Sequence, residues 1–448
     1  MPVPFMQRTL MQDLIAWKNN PRRKPLILGG ARQVGKTWLL QEFGKQEFND
    51  VAYLRLEDNA AIENLFEGSL DPQRLLEGLS SYRGKVITPD TFIVLDEVQA
   101  VPRALTALKY FNEEKPEYAV AVAGSLLGLA LHTKISFPVG KVDTLALHPM
   151  TFEEFLLAQG HENLSNYVHD ANKDMLGVFA EQLSDLLRQY YYVGGMPEAV
   201  SVHVQTRDLQ QVRTVQQSIL AAYERDFSKH TSKEDAQRCR EIWQSIPAQL
   251  AKQNKKFIYG AVREGGRGRD YRSALQFLAD CGLVHLVGRV SKPGIPLEAY
   301  KNLTAFKLFL VDVGLLGAMS DLDARSIVEK NRLFEEFKGA LAEQYVCQEL
   351  IGVGYEHLYY WSAENSSGEI DFLFQAQGEA YPVEVKAAEN LKSKSLAAFC
   401  KKYDLRTAIR LSLSGYRDEG WMQNIPLYAT GSLARLREQD SIACSDAE

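Results

Sequence analysis

The amino-acid sequence predicts an α/β fold built on a parallel sheet, with a phosphate-gripping loop at the end of one strand. Two stretches carry that expectation. In residues 26–40, LILGGARQVGKTWLL, a short apolar run reads as a buried strand; it breaks at Gly29-Gly30 and resumes as a helix from about Lys36. In residues 91–99, TFIVLDEVQ, an apolar run ends in two adjacent carboxylates, the pattern of a buried strand whose end emerges at a site.

The first stretch contains G-x-x-x-x-G-K-T: Gly30, Ala31, Arg32, Gln33, Val34, Gly35, Lys36, Thr37. Backbone N–H groups that all point inward can hold a triphosphate, and a side chain at either glycine would obstruct that turn. The opening helix adds the positive end of its dipole. Lys36 can neutralise the outer phosphates, and Thr37 can hold Mg²⁺ through its hydroxyl. In the second stretch Asp96 can hold the Mg²⁺ water shell and Glu97 can polarise the attacking water. A nucleoside triphosphate with Mg²⁺ is therefore expected, and ATP is the nucleotide that resemblance to P-loop ATPases implies.

Composition limits the remaining choices. At 448 residues the chain is too long for one core, and 46% apolar with 24% charged residues is ordinary for a soluble globular protein. The cysteines (Cys239, Cys281, Cys347, Cys400, Cys444) lie far apart without a C-x-x-C pair. That spacing argues against a zinc site or a disulfide framework and suits a reducing cytoplasm, the expected location. No apolar run approaches a membrane span, and Gln7, Arg8, Gln12 and Asp13 interrupt any signal-peptide core. A net charge of −6 excludes a globally basic nucleic-acid coat while leaving room for a local basic groove.

Further strands are expected at 51–56, 118–123 and 142–147, with mostly helical chain over 59–79. Nearly all-apolar strands alternating with helices imply a parallel sheet covered on both faces. The strand at 118–123 ends in Gly124-Ser125. In P-loop ATPases of this type a polar side chain there touches the water or the γ-phosphate, so Ser125 is a candidate, against a plain Gly-Ser turn.

The order GxxxxGKT, VLDEVQ, AGS, VGK, LHPMTFEEFL and YYVGGMPEAV resembles a prokaryotic family of AAA-type P-loop ATPases with a C-terminal conserved domain of unassigned role. The match covers most of the chain. HPMTFEEF and GGMPEAV are its specific motifs; the P-loop is shared far more widely. Family members more often show Gly-Arg where this chain has Gly140-Lys141, and a planar guanidinium suits bidentate phosphate contact better, so Lys141 is given no catalytic role. The resemblance implies a small helical lid over the nucleotide from residue 152, closed by Gly194-Gly195-Met196-Pro197-Glu198. On sequence alone that segment is equally a tight turn with a helix restarting at Pro197. A long helix over 209–227 ends in Ala222-Tyr223-Glu224-Arg225-Asp226-Phe227. AAA-type ATPases usually work at subunit contacts, so the resemblance leaves room for an oligomer and makes Arg225 a candidate arginine finger in trans; the alternative is a surface salt bridge with Glu224 or Asp226.

Residues 257–286 read as helix, turn, helix, followed by a β-rich run, the pattern of a winged helix. Arg263, Arg267, Arg269 and Arg272 cluster where such a fold meets a phosphate backbone; the alternative is a docking module with solvated arginines. In 306–316, FKLFLVDVGLL, Asp312 reads as a capping residue of a buried element.

The last chemistry-bearing stretch begins with a helix over 333–351. Glu343 shares a face there with small and apolar residues and needs a partner. A hairpin follows. If Phe374 pairs with Tyr381, Asp371 falls opposite Glu384, and two facing carboxylates repel unless a cation lies between them. Asp371, then Glu384-x-Lys386 on the adjacent strand, with Glu343 before both, resembles the PD-(D/E)xK nuclease fold. That likeness implies Asp371 and Glu384 as Mg²⁺ ligands assisted by Glu343, Lys386 as the nuclease-like lysine, and Lys392, Lys394, Lys401 and Lys402 along the nucleic acid. The alternative is a surface Glu-Lys pair beside a solvated basic helix.

The expected organisation is a P-loop ATPase core (1–150), a helical lid and connecting helix (151–230), a winged-helix-like domain (231–330), a nuclease-like domain (331–430) and a tail (431–448). The expected function is an ATP-hydrolysing AAA-type protein that couples nucleotide state to DNA binding or processing. The alternative is an ATP-dependent regulatory protein that acts on a protein partner and whose nuclease-like domain is inactive. No membrane association is expected.

Overall fold

A computed structural model describes residues 6–124, 140–252, 255–324, 335–363, 368–387 and 393–437. The chain divides into two compact units. One holds Gln7–His148 together with Gln276–Leu283; the other holds Pro149–Leu275 and the chain from Val284 onward.

In the first unit five strands, β1 (Leu26–Gly29), β2 (Asp50–Arg55), β3 (Thr91–Asp96), β4 (Val120–Ala123) and β5 (Asp143–Ala146), form a sheet in the order β2-β3-β4-β1-β5. Every pairing is parallel. Parallel strands need crossovers, and the helices that supply them cover both faces, which is why β3 is buried along its whole length. Its alternation separates two cores. Ile93 and Leu95 pack with Phe66, Leu75, Leu105 and Phe111. Phe92 faces Trp17 and Phe43, with ring centroids 6.2 and 5.3 Å away. The helical stretch expected over 59–79 is two helices. Ala60–Glu67 is capped by Asn59, and Pro72–Arg83 by Asp71 with proline in its first turn.

In the second unit the helices Phe152–Ala158, Glu162–His169, Lys173–Val178 and Ala180–Val193 occupy the segment expected as a lid. Thr151 and Glu154 form a complete capping box at the first of them. The two family-specific motifs then meet in one buried polar network. Met150 N–H donates to Gly195 O (2.7 Å), and a Cβ on Gly195 would lie 2.1 Å from Met150 O, so glycine is obligatory there. Asp312 caps the helix Val313–Met319 through Leu315 N–H, as its sequence context suggests, and also accepts from Gly195 N–H (2.6 Å) and Gln348 Nε2 (3.1 Å). Glu349 accepts from Phe152 N–H (2.8 Å). These motifs thus build a joint within the unit.

Eight strands make the second sheet: β6 (Val284–Val290), β7 (Lys301–Leu310), β8 (Tyr359–Ser362), β9 (Glu369–Ala376), β10 (Glu379–Lys386), β11 (Ala408–Ser412), β12 (Arg417–Asp418) and β13 (Met422–Pro426). Their order is β12-β13-β11-β10-β9-β8-β6-β7. This departs from the expectation of a separate winged-helix domain over 231–330 and nuclease-like domain over 331–430. The β6–β7 hairpin, read as a wing, continues the C-terminal sheet, because β6 pairs in parallel with β8 and so satisfies an edge that a free wing would expose. The hairpin register is the expected one, with Phe374 opposite Tyr381. Among the described residues no helix is long and apolar enough to cross a membrane.

Candidate functional site

The P-loop lies between β1 and the helix Lys36–Glu47. Gly30 has φ +128°, and a Cβ there would lie 2.1 Å from Leu147 O, so the backbone after β5 forbids any side chain. Gly35, at φ +96°, is the N-cap residue and has no side chain to cap the helix, which leaves first-turn N–H groups for a ligand. Ala31 and Val34 are buried, whereas Arg32 and Gln33 are exposed. Arg8, unmarked by any sequence signal, braces the loop from behind: its guanidinium donates to Val34 O (2.8 Å) and His148 O (2.6 Å).

Lys36 is buried, and its Nζ donates to Gly30 O (2.9 Å) and Ala31 O (2.7 Å). Burial pulls its ammonium down to about 8, against the opposing pull of Glu97 and Asp96. Thr37 Oγ1 donates to Asp96 Oδ2 (2.7 Å), and Asp96 Oδ1 accepts from Glu97 N–H (2.9 Å). Tyr53 on β2 also donates to Asp96 Oδ2 (2.8 Å); burial first, then Asp96, raises the phenol, so it stays a donor. Tyr53 carries no signal in the sequence beyond a phenol tip in the middle of a strand. Glu97 adopts φ +53°, and its Oε2 accepts from Gln99 Nε2 (2.6 Å). Lys141 pairs with Glu113 at 3.0 Å.

Hydroxyl and carboxylate oxygens side by side suit Mg²⁺, so Thr37 and Asp96 fit a divalent cation by donor chemistry. The glycine-lined loop at a helix N-terminus suits the phosphates of ATP. Ser125 lies outside the described residues.

The C-terminal cluster, all within the second unit, is built differently. Lys307 on β7 is fully buried. Its Nζ lies 2.5 Å from Glu369 Oε1, 3.6 Å from Glu343 Oε2 and 3.9 Å from Asp371 Oδ1. Lys255 pairs with Glu343 as well. Asp371 Oδ2 accepts from Val385 N–H (2.8 Å), while Glu384, on the neighbouring strand, pairs with Lys386 at 2.9 Å. Burial, with the charge of Glu343 adding to it, pushes Asp371 up to about 7. Burial acts the same way on Glu343, but the Lys307 and Lys255 ammoniums outweigh it and hold that carboxyl below its ordinary value. The residues expected as Mg²⁺ ligands do gather, Glu343 and Asp371 around a lysine and Glu384 on another. Among the described residues no three His, Cys, Asp or Glu side chains are arranged to hold a metal ion. Lys307, Lys255 and Glu369 went unread in the sequence, although a lysine inside the apolar run 306–310 is itself a buried-charge signal.

Arg225 is exposed on the helix Leu209–His230. Arg263, Arg267, Arg269, Arg272, Lys394, Lys401 and Lys402 are exposed too, while Lys392 lies outside the described residues.

Three family models match successive parts of the chain. Residues 22–156 match a family model described as an AAA domain. The first unit is a P-loop AAA-type domain. Residues 184–326 match a domain of unknown function (DUF8612), and residues 338–429 match another (DUF4143). No curated protein matches the sequence. Among solved structures, the Walker-type ATPase PABY2304 of Pyrococcus abyssi is 13% identical, over 70% of this chain and 96% of that chain, at a TM-score of 0.47. The Orc1 protein of Aeropyrum pernix, solved in complex with DNA, is 14% identical over 70% and 90% of the two chains at 0.27. Cdc6p of Pyrobaculum aerophilum is 14% identical over 74% and 98% at 0.28.

Proposed function

We propose that the protein binds ATP with Mg²⁺, hydrolyses it, and couples its nucleotide state to the binding of DNA. The observation that carries this reading is the convergence of Lys36, Thr37 and Asp96 at the head of the P-loop helix. Magnesium, when bound, draws charge from the β- and γ-phosphate oxygens, and Thr37 and Asp96 are the residues that would hold it. Lys36 would exchange the carbonyls of Gly30 and Ala31 for the outer phosphates. Glu97, adjacent to Asp96 and steadied by Gln99, would take a proton from the attacking water. Ser125 remains the candidate for the polar contact to the γ-phosphate, and Arg225 the candidate finger supplied to a neighbouring subunit. ATP is preferred to GTP on the strength of the family match alone.

Coupling to DNA is supported by the exposed arginines between Arg263 and Arg272 and by the exposed lysines of the helix Lys394–Tyr403. One observation favours the second reading, an ATP-dependent regulatory protein with a catalytically inactive nuclease-like domain: the C-terminal carboxylates are already neutralised by lysines. Phosphate release measured with and without duplex and single-stranded DNA tests both. Stimulation by DNA supports the first. ATP turnover indifferent to every nucleic acid moves the assignment to the second. A protein that neither retains nor splits ATP removes both.

A further inference from the structure

We infer that Lys307 stands in the place of a divalent cation, so the C-terminal carboxylates are held by ammoniums instead of a metal and the domain acts by binding, not by metal-dependent hydrolysis. The nuclease-like resemblance implies Mg²⁺ on Asp371, Glu384 and Glu343, and the residues present do not fit it. An ammonium with no solvent exposure lies against Glu369, Glu343 and Asp371, and Lys255 adds a second positive charge to Glu343. Glu384, the remaining acid, spends one oxygen on Lys386. Four buried or half-buried acids thus face three lysines, and Mg²⁺ would have to enter against ammoniums already at contact distance.

The Lys307 backbone is held from both sides. It is paired with Val287 across the β6–β7 hairpin and bridges to Lys256 on the other side. The Lys307 Nζ lies 5.1 Å from the centre of the Tyr360 ring, and the side chain has no solvent exposure. A buried ammonium is tolerated only when acids surround it, and here Glu343, Glu369 and Asp371 do. The cluster is therefore a set of acids compensated in part by ammoniums, and Glu343 Oε2, Glu369 Oε1 and Glu384 Oε2, buried without a hydrogen bond, are the oxygens that a cation would meet once the lysine is removed. This inference is independent of the ATP reading, because it concerns only the second unit.

Manganese titration of the nucleotide-free full chain, followed by the electron paramagnetic resonance of free Mn²⁺, tests it. The wild-type protein should take up no Mn²⁺ at the C-terminal cluster, so that Asp371→Asn leaves its titration unchanged. Lys307→Ala should gain one Mn²⁺ site at least tenfold tighter than any in the wild type, and the double variant with Asp371→Asn should lose it again. Mn²⁺ should also raise the melting temperature of Lys307→Ala and not that of the wild type. A wild-type Mn²⁺ site that disappears in Asp371→Asn or Glu384→Gln, yet survives Thr37→Ala, overturns the inference. So does a folded Lys307→Ala that gains no site. Should Lys307→Ala fail to fold, the wild-type and Asp371→Asn titrations decide by themselves.

Discussion

Thr37 and Asp96, 59 positions apart in sequence, are joined by a 2.7 Å hydrogen bond in which the hydroxyl donates to Oδ2. Tyr53 donates to the same oxygen. A hydroxyl carries one proton and two lone pairs, so Thr37 can turn a lone pair to a metal and still donate to Asp96 Oδ2, the oxygen that Tyr53 also holds. Tyr53 is thus a positioning residue for Asp96. Tyr53→Phe should lower turnover roughly fivefold, the equivalent of about 1 kcal/mol. Its Mg²⁺ requirement should rise while ATP affinity without metal stays unchanged. Phosphate release against Mg²⁺ concentration measures this; an unaltered Mg²⁺ dependence counts against the assignment.

Glu97 should be separable from binding. Glu97→Gln keeps the shape of the site and removes the base, so nucleotide affinity should hold while turnover falls by about 10² or more. A fluorescent ATP analogue and single-turnover hydrolysis read the two halves separately. Equal loss of both would make Glu97 a binding residue.

Lys36 sets a pH dependence. Its ammonium titrates near 8 in the ligand-free fold, against an ordinary value of 10.5. Between those values the unfolded chain keeps the proton that the folded chain has lost, so this group makes the ligand-free fold more stable as pH rises. ATP has the opposite preference, since its phosphates need the charged form. Affinity should therefore fall above pH 8, by up to about tenfold per unit, and the ATP-induced rise in melting temperature should shrink in step. A flat profile to pH 10 would show that the ammonium stays charged.

Asp312 holds the joint of the second unit. Asp312→Ala would leave Gly195 N–H and Leu315 N–H buried without acceptors and should cost about 3 kcal/mol of stability. Denaturant unfolding reads the loss, and a change below about 1 kcal/mol would mean that the network reorganises.

If Arg225 reaches a neighbour's nucleotide, Arg225→Ala and Glu97→Gln should each be nearly inactive alone. Mixed, they should recover activity, because a mixed assembly contains sites with an intact base and an intact finger. No recovery, in an assembly shown to exchange subunits, returns Arg225 to the surface.

Legibility followed distance along the chain. The P-loop, the 91–96 strand with its two acids, the capping role of Asp312 and the Phe374–Tyr381 register were all readable, because each depends on neighbours a few residues away or on a single hairpin. Arg8 and Tyr53 were not, since single polar residues acquire meaning only when a remote loop arrives beside them. That the hairpin read as a wing continues the C-terminal sheet was hidden for a related reason: no local pattern announces that β6 pairs with β8.

The amino-acid order by itself determined that this protein has a glycine-lined phosphate cradle opening a helix, followed by a strand that delivers two acids. Those features reside in spacing, and backbone geometry enforces spacing directly. Only the tertiary structure decided what the C-terminal acids face. Glu343, Glu369 and Asp371 come from a helix and a strand, Lys307 from another strand and Lys255 from a loop, and nothing in their separate surroundings says that one ammonium will sit among three carboxylates. Charge compensation in a buried site is a property of the assembled core, because only the excluded water makes the pairing obligatory.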